Sequence, residues 1–170
     1  MAFFFFIFAA IMRKIKNPYI RVKDYCCFGC SPDNQTGLRL EFYEDGDEIY
    51  TEWEPAQHLQ GYVNILHGGI QSTLMDEIAA WVVLIKLKTS GVTSRIDVKL
   101  KKPVYTNKGK LYLRAKLADV KLRIAQVSVK LFDSDNVVCA SGDVYYYTYP
   151  LDEAIKYLCY PEDYSSFFED

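Results

Sequence analysis

Histidine is scarce in this 170-residue chain: His58 and His67 are the only two, and neither a histidine pair nor a second Cys-x-x-Cys is available to complete a zinc site. Cys27-x-x-Cys30 has the spacing of half a zinc knuckle, but two ligands do not hold an ion, so neither a metal nor another cofactor is expected. The five cysteines, Cys26, Cys27, Cys30, Cys139 and Cys159, are odd in number and lie in a chain too large to need disulfide staples. A reducing compartment, the cytoplasm, fits that usage. A redox Cys-x-x-Cys would open a helix after a strand, whereas Gly29, Ser31, Pro32 and Asp33 make a loop here.

Basic excess is missing too. With 20 Lys and Arg against 22 Asp and Glu the net charge is -2, so nucleic acid is not an expected partner. Nor is there an apolar run long enough to span a bilayer, which takes about 20 residues. Met1 to Met12 is nearly all apolar but falls short of that length, lacks a basic segment before it, and is followed by Arg13-Lys14. Met12 reads as the opening of a cytosolic protein and the preceding stretch as a mis-assigned start, with a signal or anchoring segment as the alternative. No stable membrane insertion is expected. Internal repeats are lacking.

What is abundant is aromatic: 14 Tyr and 10 Phe, side chains that favour pleated, half-buried positions. Residues 17–32 form an irregular lead-in with room for a short helical stretch. Leu38, Leu40 and Phe42 then alternate with Arg39, Glu41 and Tyr43, the period of a half-buried strand. Asp45-Gly46-Asp47 makes a hairpin turn, and Ile49 to Trp53 returns before Pro55. Between Gly61 and Leu87, Ile70, Leu74, Ile78, Trp81 and Ile85 recur at helical spacing, and the helix stops at Thr89-Ser90-Gly91. Val82, Val83 and Leu84 lie off that stripe, so the helix is expected to be enclosed on more than one side. Period two returns from Val92 to Lys101 and in runs over 110–118, 122–132 and 137–147, with a short helix expected over 152–160.

The chain therefore divides into an N-terminal extension over 1–16, one α+β domain over 17–150, and a C-terminal helix and tail over 151–170. The domain is an antiparallel sheet of about six strands wrapped on one long central helix. One helix covers one face of such a sheet, so oligomerisation is expected to cover the other.

Chemistry concentrates at the start of that helix. The amides of Gly68 and Gly69 lie at the positive end of the helix dipole with no side chain to keep a ligand away. A thioester carbonyl placed there would be polarised, and an oxyanion forming on it stabilised. Asp76 and Glu77 follow about two turns later, roughly 100° apart around the helix. Asp76 shares its face with Thr73, Ala80 and Val83 and so borders small or apolar neighbours, whereas Glu77 reads as a residue of a solvated face. A lone histidine at such a turn is expected to hold it by hydrogen bonds rather than to transfer protons.

Asn64-Ile65-Leu66-His67-Gly68-Gly69-Ile70 followed by Leu74-Met75-Asp76-Glu77 resembles the signature of the PaaI-type thioesterases of the hotdog superfamily, named after phenylacetate degradation. Cys27-Phe28-Gly29-Cys30 with Gly37-Leu38, Gly61, and Gly91-Val92-Thr93 through Pro103 resemble the flanking pieces of the same pattern. The resemblance implies a hotdog fold and an acyl-CoA substrate. It further implies a homodimer or homotetramer whose site lies between subunits, the turn of one facing the helix carboxylate of the other. Matched residue by residue, Gly68 would donate its amide to the thioester oxygen and His67 would shape the turn. Asp76 would activate water or attack the carbonyl itself, and Thr93 would position the carboxylate or the water. Gly69, Asn64 and Gly61 would contact substrate, although some relatives carry a polar amide where this chain has Gly61.

One carboxylate and one oxyanion donor suffice for a thioester, because a thiolate leaves easily. Arg95, Lys99, Lys101 and Lys102 are candidate anchors for the phosphates of coenzyme A, or else members of a solvated outer face. The expected activity is hydrolysis of a small acyl- or aryl-CoA. Its alternatives are a dehydratase of the same architecture and a non-catalytic acyl-CoA-binding protein.

Overall fold

The computed structural model describes residues 12–168, so the apolar stretch read above as a mis-assigned start lies outside the described residues except for Met12. A seven-stranded antiparallel sheet dominates. Its strands are β1 (Arg13–Ile15), β2 (Phe42–Asp45), β3 (Glu48–Trp53), β6 (Gly91–Leu100), β7 (Leu111–Lys121), β8 (Ile124–Phe132) and β9 (Val138–Thr148), in the order β1-β2-β3-β7-β8-β9-β6. Between β3 and β6 come a small hairpin, β4 (Gln60–Tyr62) with β5 (Ile65–Leu66), and the helix α1 (Gly68–Lys86). A second helix, α2 (Leu151–Leu158), follows the sheet.

Alternation in the sequence becomes the two faces of this sheet. Leu111, Leu113 and Ala115 of β7 and Val127, Val129 and Leu131 of β8 are buried toward α1, against Leu74, Ile78 and Ala79. Val82 and Val83 are buried as well as Leu74, Ile78, Trp81 and Ile85 of the main stripe, so α1 is enclosed on more than one side. Large apolar side chains driven from water on both layers supply most of the cohesion, each worth about 1.5–3 kcal/mol.

Two departures from the sequence-based expectation have physical causes. The sheet has seven strands because Arg13–Ile15, too short to show a period, pairs with Phe42–Glu44 at the edge. Leu38 and Leu40 are buried but stand outside the ladder. Their amides donate to Phe28 O and Gly29 O, and Arg39 between them takes φ 53, so the alternation marks packing rather than a strand. The uncovered sheet face carries Tyr50, Tyr112 and Arg114, which bonds Asp45 and Glu48 at 2.8 Å, with Ser128 donating to Asp143.

Past α2 the chain is held down. Tyr160 and Tyr164 donate their hydroxyls to Leu84 O and Ile85 O, the open carbonyls at the end of α1, and Phe167 is fully buried. Among the described residues no helix is long and apolar enough to cross a membrane.

Candidate active site

The β4–β5 hairpin delivers His67 to the N-cap of α1. Its backbone is extended (φ -58°, ψ 135°), and its Nδ1 accepts from the amide of Gly69 at 2.9 Å. His67 N donates to Leu59 O, while His67 O accepts from the amides of Ile70 and Gln71. The ring and its backbone are thus locked as a cap. A Cβ at position 69 would lie 3.0 Å from Nδ1, and one at position 61 would lie 3.3 Å from the ring, so glycine at both positions lets the imidazole pack tightly.

Of the two glycine amides, Gly69's is taken by the imidazole. Gly68's has no partner among the described residues and sits at the positive helix end. It opens on a groove of about 630 Å³ lined also by His67, Gln71, Leu100, Lys101 and Lys102. Gln71 was missed by sequence reasoning: it is buried, its amide nitrogen donates to Leu66 O, and its Oε1 has no partner among the described residues. Asn64 does not line the groove. It forms the hairpin turn at φ 60°, a conformation asparagine tolerates, with its carbonyl accepting from Thr106 N.

Two turns along α1, Asp76 is partly exposed and its Oδ1 accepts from Thr93 Oγ1 at 2.9 Å and from the Tyr146 hydroxyl at 2.6 Å. A register shift in β6 between Thr93 and Arg95 aims Thr93 at the helix. Tyr146 is 3% exposed; burial, and then the charge of Asp76, push its phenol far above the ordinary range, so it remains a donor. Tyr146 was not foreseen. Its signal was its parity on β9, shared with Val144 and Thr148 on the inner face, where a tyrosine hydroxyl needs a partner.

Glu77 overturns the solvated-face reading. Its carboxylate lies against the loop before the sheet, 3.6 and 3.7 Å from Cys27 Sγ, and accepts from Trp81 Nε1 at 3.3 Å. Burial, and then the neighbouring Cys27, raise its pKa to about 7. The side-chain hydrogen bond from Cys30 lowers Cys27 to about 5, while that same bond and then burial push Cys30 far up. These groups border a second cavity, of about 400 Å³, that also reaches Tyr146.

The basic candidates separate by position. Arg95 bonds Asp97 at 2.6 Å and lies over the Tyr145 ring, and Lys99 shares its parity on the outer face. Only Lys101 and Lys102 reach the groove beside Gly68.

Residues 63–140 match the family model described as the thioesterase superfamily. No curated protein sequence matches the chain significantly. Among solved structures, a thioesterase superfamily protein aligns with a TM-score of 0.65 at 20% identity, covering 71% of this chain and 59% of its own, so this chain spans less than two thirds of that protein. A thioesterase from Haemophilus influenzae aligns with a TM-score of 0.62 at 20% identity, over 72% of this chain and 86% of that one. A Bacillus halodurans protein crystallised with CoA aligns with a TM-score of 0.59 at 22% identity, over 66% and 76%. At such identities the likeness establishes the fold, the α+β hotdog.

Proposed function

We propose that this chain is a hotdog-fold thioesterase of the PaaI type that hydrolyses small acyl- or aryl-CoA thioesters, with each active site shared between two copies of the chain. The observation that carries this reading is the placement of the two reactive parts on one rigid helix. Gly68 and Asp76 are eight residues apart on α1, which at 1.5 Å per residue separates them by about 12 Å along the axis. A single thioester carbon cannot reach both. Two copies related by a two-fold axis, with their α1 helices side by side and antiparallel, bring the amide of one to the carboxylate of the other.

In that arrangement the free Gly68 amide receives the thioester oxygen and stabilises the charge that develops there. Thr93 and Tyr146 both bond Oδ1 of Asp76, and Oδ2, with no hydrogen bond to them, is the oxygen assigned to water or the carbonyl carbon. Asp76 takes the proton from attacking water, or adds directly and is then freed by water. The C–S bond breaks, the C–O bond forms, and the departing thiolate takes up a proton as free coenzyme A. Lys101 and Lys102 stand at the groove where the phosphates of coenzyme A would pass. The family match, and the CoA bound to a structural neighbour, support the substrate class. Five free cysteines suit a reducing cytoplasm.

A panel of short, long and aromatic acyl-CoAs with colorimetric detection of released thiol tests the reading. The wild-type protein is expected to turn over at least the small members, and Asp76→Asn to lower kcat by about 100- to 10,000-fold. A correctly folded wild-type protein inert on the whole panel would contradict it.

A further inference from the structure

Hydrolysis makes no use of the cluster where the loop at Cys27 to Cys30 meets α1. Ligand atoms of Cys27, Cys30 and Glu77 all lie within 4.8 Å of one another, with Cys27 Sγ 3.6 and 3.7 Å from the two carboxylate oxygens. In a tetrahedral zinc site, Zn–S of about 2.3 Å and Zn–O of about 2.0–2.2 Å set adjacent sulfur and oxygen ligands about 3.5 Å apart. The spacing seen here is already that of a coordination edge.

Several contacts hold the three groups in this arrangement. A Cβ at Gly29 would fall 2.3 Å from Glu77 Cδ, so only glycine lets the loop close over the carboxylate. Leu38 N and Leu40 N donate to Phe28 O and Gly29 O and fix the loop backbone. Around the ligand atoms, Trp81 Nε1 donates to Glu77, Asn17 Nδ2 donates to Cys30 O, and the Tyr25 hydroxyl lies 3.0 Å from Cys30 Sγ. Such outer contacts orient metal ligands in known sites. Among the described residues the Glu77 carboxylate has thiol and indole partners but no Lys or Arg. A thiophilic dication supplies the positive charge that such a cluster attracts. Cys27-x-x-Cys30 offers two ligands in the sequence; the third arrives only by folding, 47 positions after Cys30.

We propose that Cys27, Cys30 and Glu77 form a binding site for a zinc-class divalent ion, held by two thiolates and one carboxylate, with the fourth position open to the cavity reaching Tyr146. On binding, Cys30 gives its proton to solvent, as do Cys27 and Glu77 to the extent that they are protonated. The ion would fasten the loop to α1 one residue from Asp76. The site does not depend on thioester hydrolysis, and its test has its own readout.

The full chain, reduced and desalted, is titrated with Co²⁺ and then with Zn²⁺ in competition. One Co²⁺ per chain, a thiolate-to-cobalt charge-transfer band, displacement by Zn²⁺ and release of protons are expected. Cys27→Ser and Cys30→Ser should lose the band. Glu77→Gln should weaken binding by at least about 100-fold, beyond the 10- to 100-fold typical of an outer-shell partner. Cys26→Ser, outside the cluster, and Asp76→Asn should bind as wild type. If a ligand variant fails to fold, alkylation of the wild-type thiols decides, since bound Zn²⁺ should protect Cys27. No stoichiometric uptake by the reduced wild-type protein, or a band undiminished in folded Cys27→Ser and Glu77→Gln, would overturn the assignment.

Discussion

At the scale of single residues, Gly68 occupies the first position of α1 and offers its amide rather than a side chain. Its predecessor His67 has the extended backbone that a following proline requires, and the first helical position tolerates proline because its amide is unused by the helix. Gly68→Pro therefore deletes the proposed oxyanion donor while keeping the helix. The nearest obstacle to its Cβ is the tip of Leu100, a side chain free to yield. Circular dichroism is expected to be unchanged and kcat to fall about 100- to 1000-fold. Tyr146→Phe removes one of the two hydroxyls on Asp76 Oδ1; a bond to a charged group worth about 1.5–3 kcal/mol corresponds to about 10- to 100-fold in kcat/KM. Retained activity in that variant would show that Thr93 alone suffices. His67, Gly68 and Asp76 stand out in the sequence because a turn and a helix fix their spacing locally, whereas Thr93 is implied only by the resemblance to the PaaI-type pattern. Tyr146 and Glu77 could not be assigned partners that way. Tyr146 meets Asp76 across 70 positions, and Cys27 meets Glu77 across 50, so both contacts exist only once the sheet and loop have closed on α1.

At the scale of elements, alternation made β6 to β9 legible and helical spacing made α1 legible, because each is long enough to repeat its period several times. Arg13–Ile15 is too short for that, and Leu38 and Leu40 satisfy their amides with turn carbonyls while mimicking a strand. β6 is one of the two edges of the sheet, and it carries apolar side chains in the open: Ile96 is 43% exposed and Leu100 47%. An unpaired edge with such side chains invites continuation by a second copy. Ile96→Lys places a charge there and is expected to shift the protein toward monomer in light scattering and to abolish turnover, although Thr93 and Asp76 are untouched. A monomer with full activity would sever the link between edge and site.

For the whole molecule, the proposed catalytic geometry needs a contact between two copies, and exposed apolar groups near the site are candidates for it. Among the exposed apolar groups, Val63, Ile96 and Leu100 lie on the turn before His67 and on β6, while others such as Leu122 lie at the far β7–β8 turn. The sequence pointed correctly to an antiparallel α+β fold around one long helix, because one-dimensional alternation separates the two faces of a strand. The central claim is that Gly68 and Asp76 of different chains build one site, and mixing two inactive variants tests it directly. Gly68→Pro and Asp76→Asn proteins, unfolded together and refolded as a mixture, form heterodimers in which one site carries both defects and the other neither. With half of the dimers mixed and one intact site in each, activity is expected to return to about a quarter of wild type. If both groups acted within one chain, every site in the mixture would carry a defect, and a dimeric mixture with no recovered activity would contradict the account.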